Sequence, residues 1–267
     1  MIQKTKVLTF ILFGFIFLNL SAQDNFDNDP VAKLPDDDRS FRFGLHFSPN
    51  LSWFKTNTSG YSSDGSTMGF SFGLSFEYFL SKNYLVSTGF NLLNAKGALK
   101  YKDVYKKGAI SYSADVVSDY KPQYLQIPLQ LKLRTNEIGY FTYYGTFGFN
   151  MDFSFKSKAE YAYTFQDIAL PYTSQETISS NDASADLNWI NLALVIGAGV
   201  EYNISGNTSA FFGVTFNNGF INQMDTKVVE LDASGDPLID SSGDPVFSEK
   251  DVNANLNYLA LNIGIYF

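Results

Sequence analysis

The last eleven residues of the chain alternate strictly between two kinds of side chain. One set is bulky and apolar: Leu259, Leu261, Ile263, Ile265 and Phe267. The intervening set is smaller or carries polar atoms: Tyr258, Ala260, Asn262, Gly264 and Tyr266. Because successive side chains of an extended chain point to opposite sides, this spacing predicts a strand with one fully apolar face.

Seven earlier segments alternate in the same way, and no segment with a helical period separates them. They are Ser40–Phe54, Met68–Phe79, Tyr84–Lys96, Tyr120–Arg134, Tyr140–Phe155, Asn188–Tyr202 and Thr208–Phe220. Long runs with a period of two are typical of strands that have two different faces. The sequence therefore predicts an all-β fold of eight antiparallel strands.

The lengths of the connections predict how these strands are arranged. Three connections are tight turns: Leu80–Asn83, Thr135–Gly139 and Asn203–Asn207. Four are long and polar: Lys55–Thr67, Gly97–Asp119, Lys156–Leu187 and Ile221–Val252. This pattern is typical of up-and-down transmembrane β-barrels, whose short turns face the periplasm and whose long loops face outward. An even number of strands places both ends of the barrel on the periplasmic side.

The two strand faces indicate which one meets lipid. The less apolar face consists mostly of Gly, Ser, Thr, Asn and Ala, and small residues suit the narrow interior of an eight-stranded barrel. A soluble barrel such as a lipocalin would instead carry many charges on its outer face. Aromatic residues lie near the predicted strand ends, where membrane girdles belong: Trp53, Phe54, Tyr78, Tyr84, Tyr140, Phe155, Trp189, Tyr202 and Phe267. We therefore expect an apolar-outward barrel in the cell outer membrane.

The first 22 residues have the layout of a secretory signal peptide. Lys4 and Lys6 precede an apolar run, Val7–Leu20, and Ala22 is the small residue before the expected cleavage point. The run is short for a membrane-spanning helix, although an uncleaved anchor is the alternative. Residues 23–39 are acidic and contain Pro30, Pro35 and the run Asp36–Asp38, which predicts a flexible periplasmic leader. Residues 40–267 then form the barrel.

Charge and cysteine content exclude several functions. Without Lys4 and Lys6 the chain has 17 Lys and Arg (19 − 2) against 27 Asp and Glu, a net charge of −10. Nucleic acid is therefore not an expected partner, because phosphate binding needs clustered cations. The chain has no cysteine, which excludes disulfides, a thiol nucleophile and a thiolate metal site.

One predicted strand carries a family resemblance. The segment from Tyr124 to Lys132, YLQIPLQLK, resembles the YLEIPLLLK strand of the PorT-like outer-membrane barrels of Bacteroidota. Phe147–Asn150, FGFN, resembles the GPSFGYLL segment of that family more loosely. The named member is associated with the type IX secretion machinery, so the resemblance implies an accessory or structural role with secretion-system proteins as partners. It implies no catalytic residue and no cofactor.

Four charged residues fall on the less apolar face near the periplasmic ends of their strands. They are Arg42, Glu77, Lys132 and Glu201. Unpaired charges inside a narrow lumen are costly, so we expect the two cations and two anions to form a structural salt-bridge network that blocks the lumen. The alternative is that the four charges reach solvent at the rim.

The enzymatic alternative rests on His46, the single histidine of the chain. Ser48 lies on the same face, and a lipid A-modifying enzyme with a His, a Ser and an acidic partner is one alternative. A narrow transport pore is another. The sequence nevertheless favours a non-enzymatic barrel with a structural or loop-mediated binding role, accessory to secretion or surface assembly, with neither a catalytic residue nor a cofactor.

Two loop segments have distinctive compositions. The loop before the last strand contains a near-repeat with Asp232, Asp236, Asp240 and Asp244. It lacks the spacing of an EF-hand and has an ordinary turn composition, so we expect a twisted hairpin without metal and leave calcium as the alternative.

The other segment mixes cations and tyrosines: Lys100, Tyr101, Lys102, Tyr105, Lys106 and Lys107. It predicts a solvated surface, with contact to lipopolysaccharide phosphates as the alternative. Outer-membrane lipid, lipopolysaccharide and, through the strand ending at Phe267, the barrel-assembly machinery are the other expected partners.

Overall fold

The computed structural model describes residues 40–167 and 172–267. The predicted signal peptide (residues 1–22) and leader (residues 23–39) lie outside the described residues. The described residues form thirteen strands: β1 (Phe41–Thr56), β2 (Ser62–Ser63), β3 (Thr67–Ser81), β4 (Tyr84–Asn94), β5 (Gly97–Lys107), β6 (Ile110–Arg134), β7 (Phe141–Gln166), β8 (Thr173–Ser180), β9 (Ile190–Ser205), β10 (Thr208–Gly219), β11 (Lys227–Val229), β12 (Phe247–Asp251) and β13 (Ala254–Tyr266). No helix in these residues is long and apolar enough to cross a membrane.

Eight of the strands close into a ring. Their order is β1, β3, β4, β6, β7, β9, β10 and β13, each antiparallel to its neighbours. β13 pairs back with β1, from Tyr266 beside Gly44 to Ala254 beside Thr56. The predicted eight-stranded antiparallel up-and-down barrel is confirmed. Its end with the short turns is called the turn end below, and the opposite end is called the loop end.

The outer surface of the barrel wall is apolar. Along β1, Phe43, Leu45 and Phe47 are about half exposed, whereas the inward Arg42 is 5% exposed and Ser48 is fully buried. A tilted strand of roughly a dozen residues at about 3.3 Å per residue covers about 30 Å, enough for the hydrocarbon layer of a membrane. The apolar face therefore points outward, as the sequence predicted.

The connections at the loop end differ from the sequence prediction. β6 and β7 continue past the barrel wall and pair with each other as far as Ala114 and Phe165. β5 pairs with the first half of β6, and β8 pairs with the end of β7. The predictions of loops over residues 97–119 and 156–187 are therefore wrong over most of their length. We call residues 62–63, 97–122, 156–166 and 173–180 the loop-end sheet.

A bulge and a change of polarity explain why alternation did not reveal these extensions. Phe155 is an extra residue of β7 that no residue of β6 opposes. Before it, even-numbered residues such as Asp152 point inward, and after it odd-numbered residues such as Ala159 do. On β6 the apolar residues change sides, since Leu129 is 52% exposed and Val116 is fully buried. A pattern that changes phase or side within one strand resembles a loop in the sequence.

Candidate functional site

Four charged side chains meet inside the barrel at the turn end. Arg42 donates from Nε to Glu77 Oε2 (2.8 Å) and from its two Nη atoms to Glu201 (2.9 and 2.6 Å). Lys132 Nζ lies 2.9 Å from Glu77 Oε1 and 2.6 Å from Glu201 Oε1. Each cation thus contacts both carboxylates, and all four side chains are at most 5% exposed. The structure brings together the four residues selected from the sequence, called the lumen charge cluster below.

The register of the strands places these residues at one height. Arg42 and Glu77 are direct neighbours in the β1–β3 pairing, whereas Lys132 on β6 and Glu201 on β9 reach the same level from other parts of the ring. Gly44 leaves room beside the cluster, because a Cβ atom there would lie 2.6 Å from the Tyr266 ring. The interior at this level is therefore filled by large polar and aromatic side chains.

Three further residues complete the cluster and were not selected from the sequence. Arg134 Nη2 lies 3.1 Å from Glu201 Oε2. Tyr266 donates its hydroxyl to Glu77 Oε1 (2.8 Å). The ring centre of Tyr144 lies 4.0 Å from Lys132 Nζ. The alternation in the sequence already places these three residues on the inward face of their strands. Parity alone, however, does not reveal which inward side chains touch across a lumen.

The ion pairs of the cluster connect four strands, β1, β3, β6 and β9. Taking ions out of water costs several kcal/mol each, and mutual attraction offsets this cost only when the hydrogen bonds are complete. Two carboxylates here contact three cations, Arg42, Lys132 and Arg134. Removing either carboxylate would leave buried cations undercompensated, so we expect the complete cluster to stabilise the barrel.

Above the cluster the lumen contains a polar cavity of about 90 Å³. His46 lines it, and its Nδ1 lies 3.0 Å from Ser75 Oγ. Ser48, the serine considered as its partner, instead donates to Asn262 Oδ1 (2.8 Å). Among the described residues no carboxylate hydrogen-bonds to His46, so the acidic member of a nucleophile-activating triad is not in place there.

A layer of hydrogen-bonded side chains closes this cavity towards the loop end. Gln126 Nε2 donates to Asp152 Oδ1 (2.8 Å) and to the Tyr258 hydroxyl (2.7 Å). Asn191 Nδ2 donates to the other oxygen of Asp152 (2.8 Å). Gln126 and Lys132 both belong to the YLQIPLQLK segment, so this motif contributes to the hydrogen-bonded layer and to the charge cluster.

Beyond this layer the barrel is filled by an apolar core. Five of its members are at most 1% exposed: Phe54, Leu93, Leu99, Tyr124 and Leu256. Phe54 therefore does not belong to the membrane-facing girdle in which the sequence placed it. The Tyr124 hydroxyl donates to Gln223 Oε1 (2.9 Å), which attaches the segment after β10 to the core. Charge cluster, hydrogen-bonded layer and apolar core thus fill the lumen in series from the turn end to the loop end.

The lysines of β5 are mostly engaged with carboxylates. Lys102 Nζ lies 3.0 Å from Asp236 Oδ1, and Lys107 Nζ lies 2.8 Å from Asp167 Oδ2. Lys100 is exposed. Cations that already contact carboxylates attract phosphate groups less strongly, so this segment is a weaker candidate for anion binding than its composition indicates.

The aspartates of the near-repeat have two roles. Asp232 and Asp240 accept hydrogen bonds from backbone N–H groups of their own turns, at 2.7 to 3.0 Å. Asp236 and Asp244 form ion pairs with lysines of β5, Asp244 with Lys106 at 2.6 Å. In the described residues no three His, Asp or Glu side chains are grouped to hold a metal ion. The repeat thus attaches its segment to the loop-end sheet.

The repeat also closes on itself through the backbone. The N–H of Leu238 donates to the carbonyl of Glu230, that of Val246 to Leu238, and that of Glu230 to Val246, at 2.8 to 2.9 Å. Each intervening turn contains a glycine with positive φ, Gly235 (82°) and Gly243 (77°), a conformation that other residues adopt at a cost. Three equivalent positions, eight residues apart, therefore form a ring of hydrogen bonds.

Comparisons with known proteins identify the family. No curated protein is significantly similar to the chain in sequence. Among solved structures, neisserial surface protein A is 13% identical over 85% of this chain and 96% of its own, with a TM-score of 0.41. OprG from Pseudomonas aeruginosa is 16% identical over 85% and 95%, with a TM-score of 0.38. Residues 21–225, more than half of the chain, match the family described as outer membrane protein beta-barrel domain. The protein therefore belongs to this family of barrels and resides in the outer membrane.

Proposed function

We propose that this barrel acts as a binding protein at the cell surface, accessory to protein secretion or surface assembly. The observation that carries the proposal is the loop-end sheet, which continues the barrel wall on the extracellular side through the paired extensions of β6 and β7. Ordering these residues costs conformational entropy, and rigid elements hold a binding surface more precisely than loose loops do.

The filled lumen supports this function over the transport pore. A diffusion pathway would have to cross the lumen charge cluster, the hydrogen-bonded layer and the apolar core, and eight strands leave little interior space beyond the side chains. We expect no steady single-channel conductance from the wild-type protein in planar bilayers. Regular conductance steps would instead favour the pore.

We also propose the finer assignment to the PorT-like barrels. Its support is the YLQIPLQLK segment, whose inward residues Gln126 and Lys132 take part in two layers of the lumen. Under this assignment the partners are secretion-system proteins. Lipopolysaccharide would surround the barrel, and the barrel-assembly machinery would act on β13 and the terminal Phe267.

The enzyme alternative depends on the contact between His46 and Ser75. His46→Ala and Ser75→Ala cells should have the same lipid A profile by mass spectrometry as wild-type cells if the protein is a binding protein. A change of acylation in both variants would support catalysis.

Crosslinking tests the binding function, because the native chain contains no cysteine. We would place single cysteines at Lys158 and Thr177, both exposed on the loop-end sheet, and treat intact cells with a membrane-impermeant crosslinker. The matched control is Lys82→Cys, exposed in the periplasmic turn after β3. We expect a discrete protein adduct from at least one loop-end position and none from the control. Absence of an adduct at both loop-end positions would contradict the proposal.

A further inference from the structure

We propose that the loop end binds a small alkylammonium cation in a cavity beneath β11. This inference rests on the proposed binding function of the loop end and names the chemical class of a ligand. The cavity has a volume of about 130 Å³, roughly ten times the space that one water molecule needs. Five aromatic residues line it: Tyr61, Tyr101, Tyr120, Tyr161 and Phe247.

The aromatic residues of the lining contact one another in two pairs of different geometry. Tyr61 stacks on Tyr101 with ring centres 4.8 Å apart and planes 19° from parallel. Tyr120 meets Tyr161 edge to face, at 6.1 Å and 88°. Phe247 is 54% exposed, so a ligand reaches the cavity past this ring. Aromatic faces attract cations through the negative charge above the ring, and such cages suit quaternary ammonium groups.

Two carboxylates complete the lining, Asp103 and Asp186. Asp103 Oδ1 accepts the backbone N–H of Val104 (2.7 Å), and Asp186 accepts a hydrogen bond from the Tyr161 hydroxyl. Neither carboxylate forms an ion pair with a cation of the described residues. A half-buried carboxylate without a cation is unfavourable, and a bound ammonium group would remove this cost.

The remaining charges of the cavity do not cancel those of the two aspartates. Lys227 also lines the space, but its Nζ pairs with Asp251 at 2.7 Å and donates to the backbone carbonyl of Glu249 at 3.0 Å. The burial that raises the pKa of the Asp103 carboxyl is what a bound cation would offset. The cavity is thus negative and walled by aromatic rings.

These features favour an organic cation over a metal ion. A metal ion needs several converging oxygen ligands at short distances, and the described residues contain no such group of acidic or histidine side chains. An alkylammonium group has no coordination geometry to satisfy. It gains from diffuse negative charge and from contact with ring faces.

Calorimetry on the refolded full chain in detergent tests the inference, with choline as the probe. The control ligand is 3,3-dimethyl-1-butanol, which has nearly the same shape as choline but no charge. We expect choline to bind and the neutral alcohol to bind at least about tenfold more weakly. Equal binding of the two ligands, or no binding of choline, would overturn the proposal.

Variants locate the site. Asp103→Asn should weaken choline binding about tenfold, and Phe247→Ala several-fold. The matched control is Glu176→Gln, which removes one exposed carboxylate from β8 and should leave binding unchanged. If Glu176→Gln weakens choline binding equally, the attraction comes from diffuse surface charge, and the proposed site is wrong. Heat-modifiable gel migration shows whether each variant is folded. Phe247 is half exposed, so we expect Phe247→Ala to fold and to test the site even if Asp103→Asn does not fold. Loss of choline binding with crosslinking to partners retained would overturn this inference alone.

Discussion

Arg42 and Glu201 lie on strands that are not neighbours, yet their side chains form two hydrogen bonds across the lumen, at 2.9 and 2.6 Å. Two strands, β13 and β10, separate β1 from β9 in the ring. A guanidinium that binds a carboxylate through two nitrogens fixes direction as well as distance. This pair therefore constrains the diameter of the barrel near its periplasmic end.

Replacing Glu201 tests this constraint. Glu201→Gln should lower the free energy of unfolding by about 3 kcal/mol, because the buried Arg42 and Lys132 would then share the single carboxylate of Glu77. Arg134 would lose its ion pair with Glu201 as well. Urea unfolding in lipid vesicles, followed by tryptophan fluorescence, measures the change.

The control for this variant is Glu160→Gln. Glu160 pairs with Lys121 on the surface, 2.8 Å apart, where ion pairs contribute little, so its unfolding midpoint should not move. A Glu201→Gln protein as stable as the wild type would show that the cluster is not a structural crosslink.

Cysteines introduced at two neighbouring positions of β1 would report the environments on the two sides of the barrel wall. Phe47 is 51% exposed and Ser48 is fully buried. A bimane fluorophore on Phe47→Cys should be quenched by brominated lipid chains, because this side of the strand meets hydrocarbon. The same fluorophore on Ser48→Cys should be quenched much less. Strong quenching at both positions, or only at Ser48→Cys, would contradict the apolar-outward arrangement.

Alternation predicted the wall of the barrel because lipid and lumen demand different residues on successive positions. This contrast is reversed beyond the membrane, since on β6 the apolar Val116 is buried and the polar Asp115 is exposed to water. The bulge at Phe155 also shifts the phase of β7. The loop-end sheet was therefore hidden from a search for one continuous pattern, although its own alternation was present in Tyr112 and Ala114.

Alkaline titration of Tyr163 provides a pH-dependent test. Burial in the loop-end sheet and the nearby Asp103 carboxyl raise the pKa of Tyr163 to about 12, against about 10 in an unfolded chain. Between these values the unfolded state releases a proton that the folded state keeps. The contribution of Tyr163 to stability is therefore complete below about pH 10 and is lost as the pH rises to about 12.

The difference between the phenolate absorbance of the wild type and of Tyr163→Phe isolates this group. We expect its midpoint near pH 12, with protease resistance of the loop-end sheet falling over the same range. A midpoint near pH 10 would indicate that Tyr163 is exposed.

Processing of the chain is a separate prediction. If residues 1–22 are a signal peptide, protein purified from outer membranes should begin at Gln23, because small residues precede the cleavage point. N-terminal sequencing or intact mass spectrometry measures this directly. A chain that retains Lys4 and Lys6 would instead indicate an uncleaved anchor.

The lumen charge cluster shows which parts of a site could be predicted from the sequence. The face on which each residue lies, and its distance from the periplasmic end of its strand, were enough to select four residues: Arg42, Glu77, Lys132 and Glu201. The contribution of Tyr266 depends on a contact between β13 and the carboxylate of β3, and a tertiary contact of this kind has no local signature. The role of the aspartate repeat was hidden for the same reason, since Asp236 and Asp244 pair with residues more than a hundred positions away.

The ring formed by Glu230, Leu238 and Val246 has a consequence for how this loop tolerates changes in length. The ring closes only when the N–H of each of these three residues bonds to the carbonyl of another. The three residues are eight positions apart, so the spacing between them has to be kept. Deleting one unit of eight residues would leave two of these positions, so the ring of three could not form and one of the lysine–aspartate pairs with β5 would be lost. Adding one unit would require a wider ring, in which the aspartates no longer face the lysines of β5. Insertions between the units should therefore be tolerated less well here than in an ordinary surface loop of similar composition.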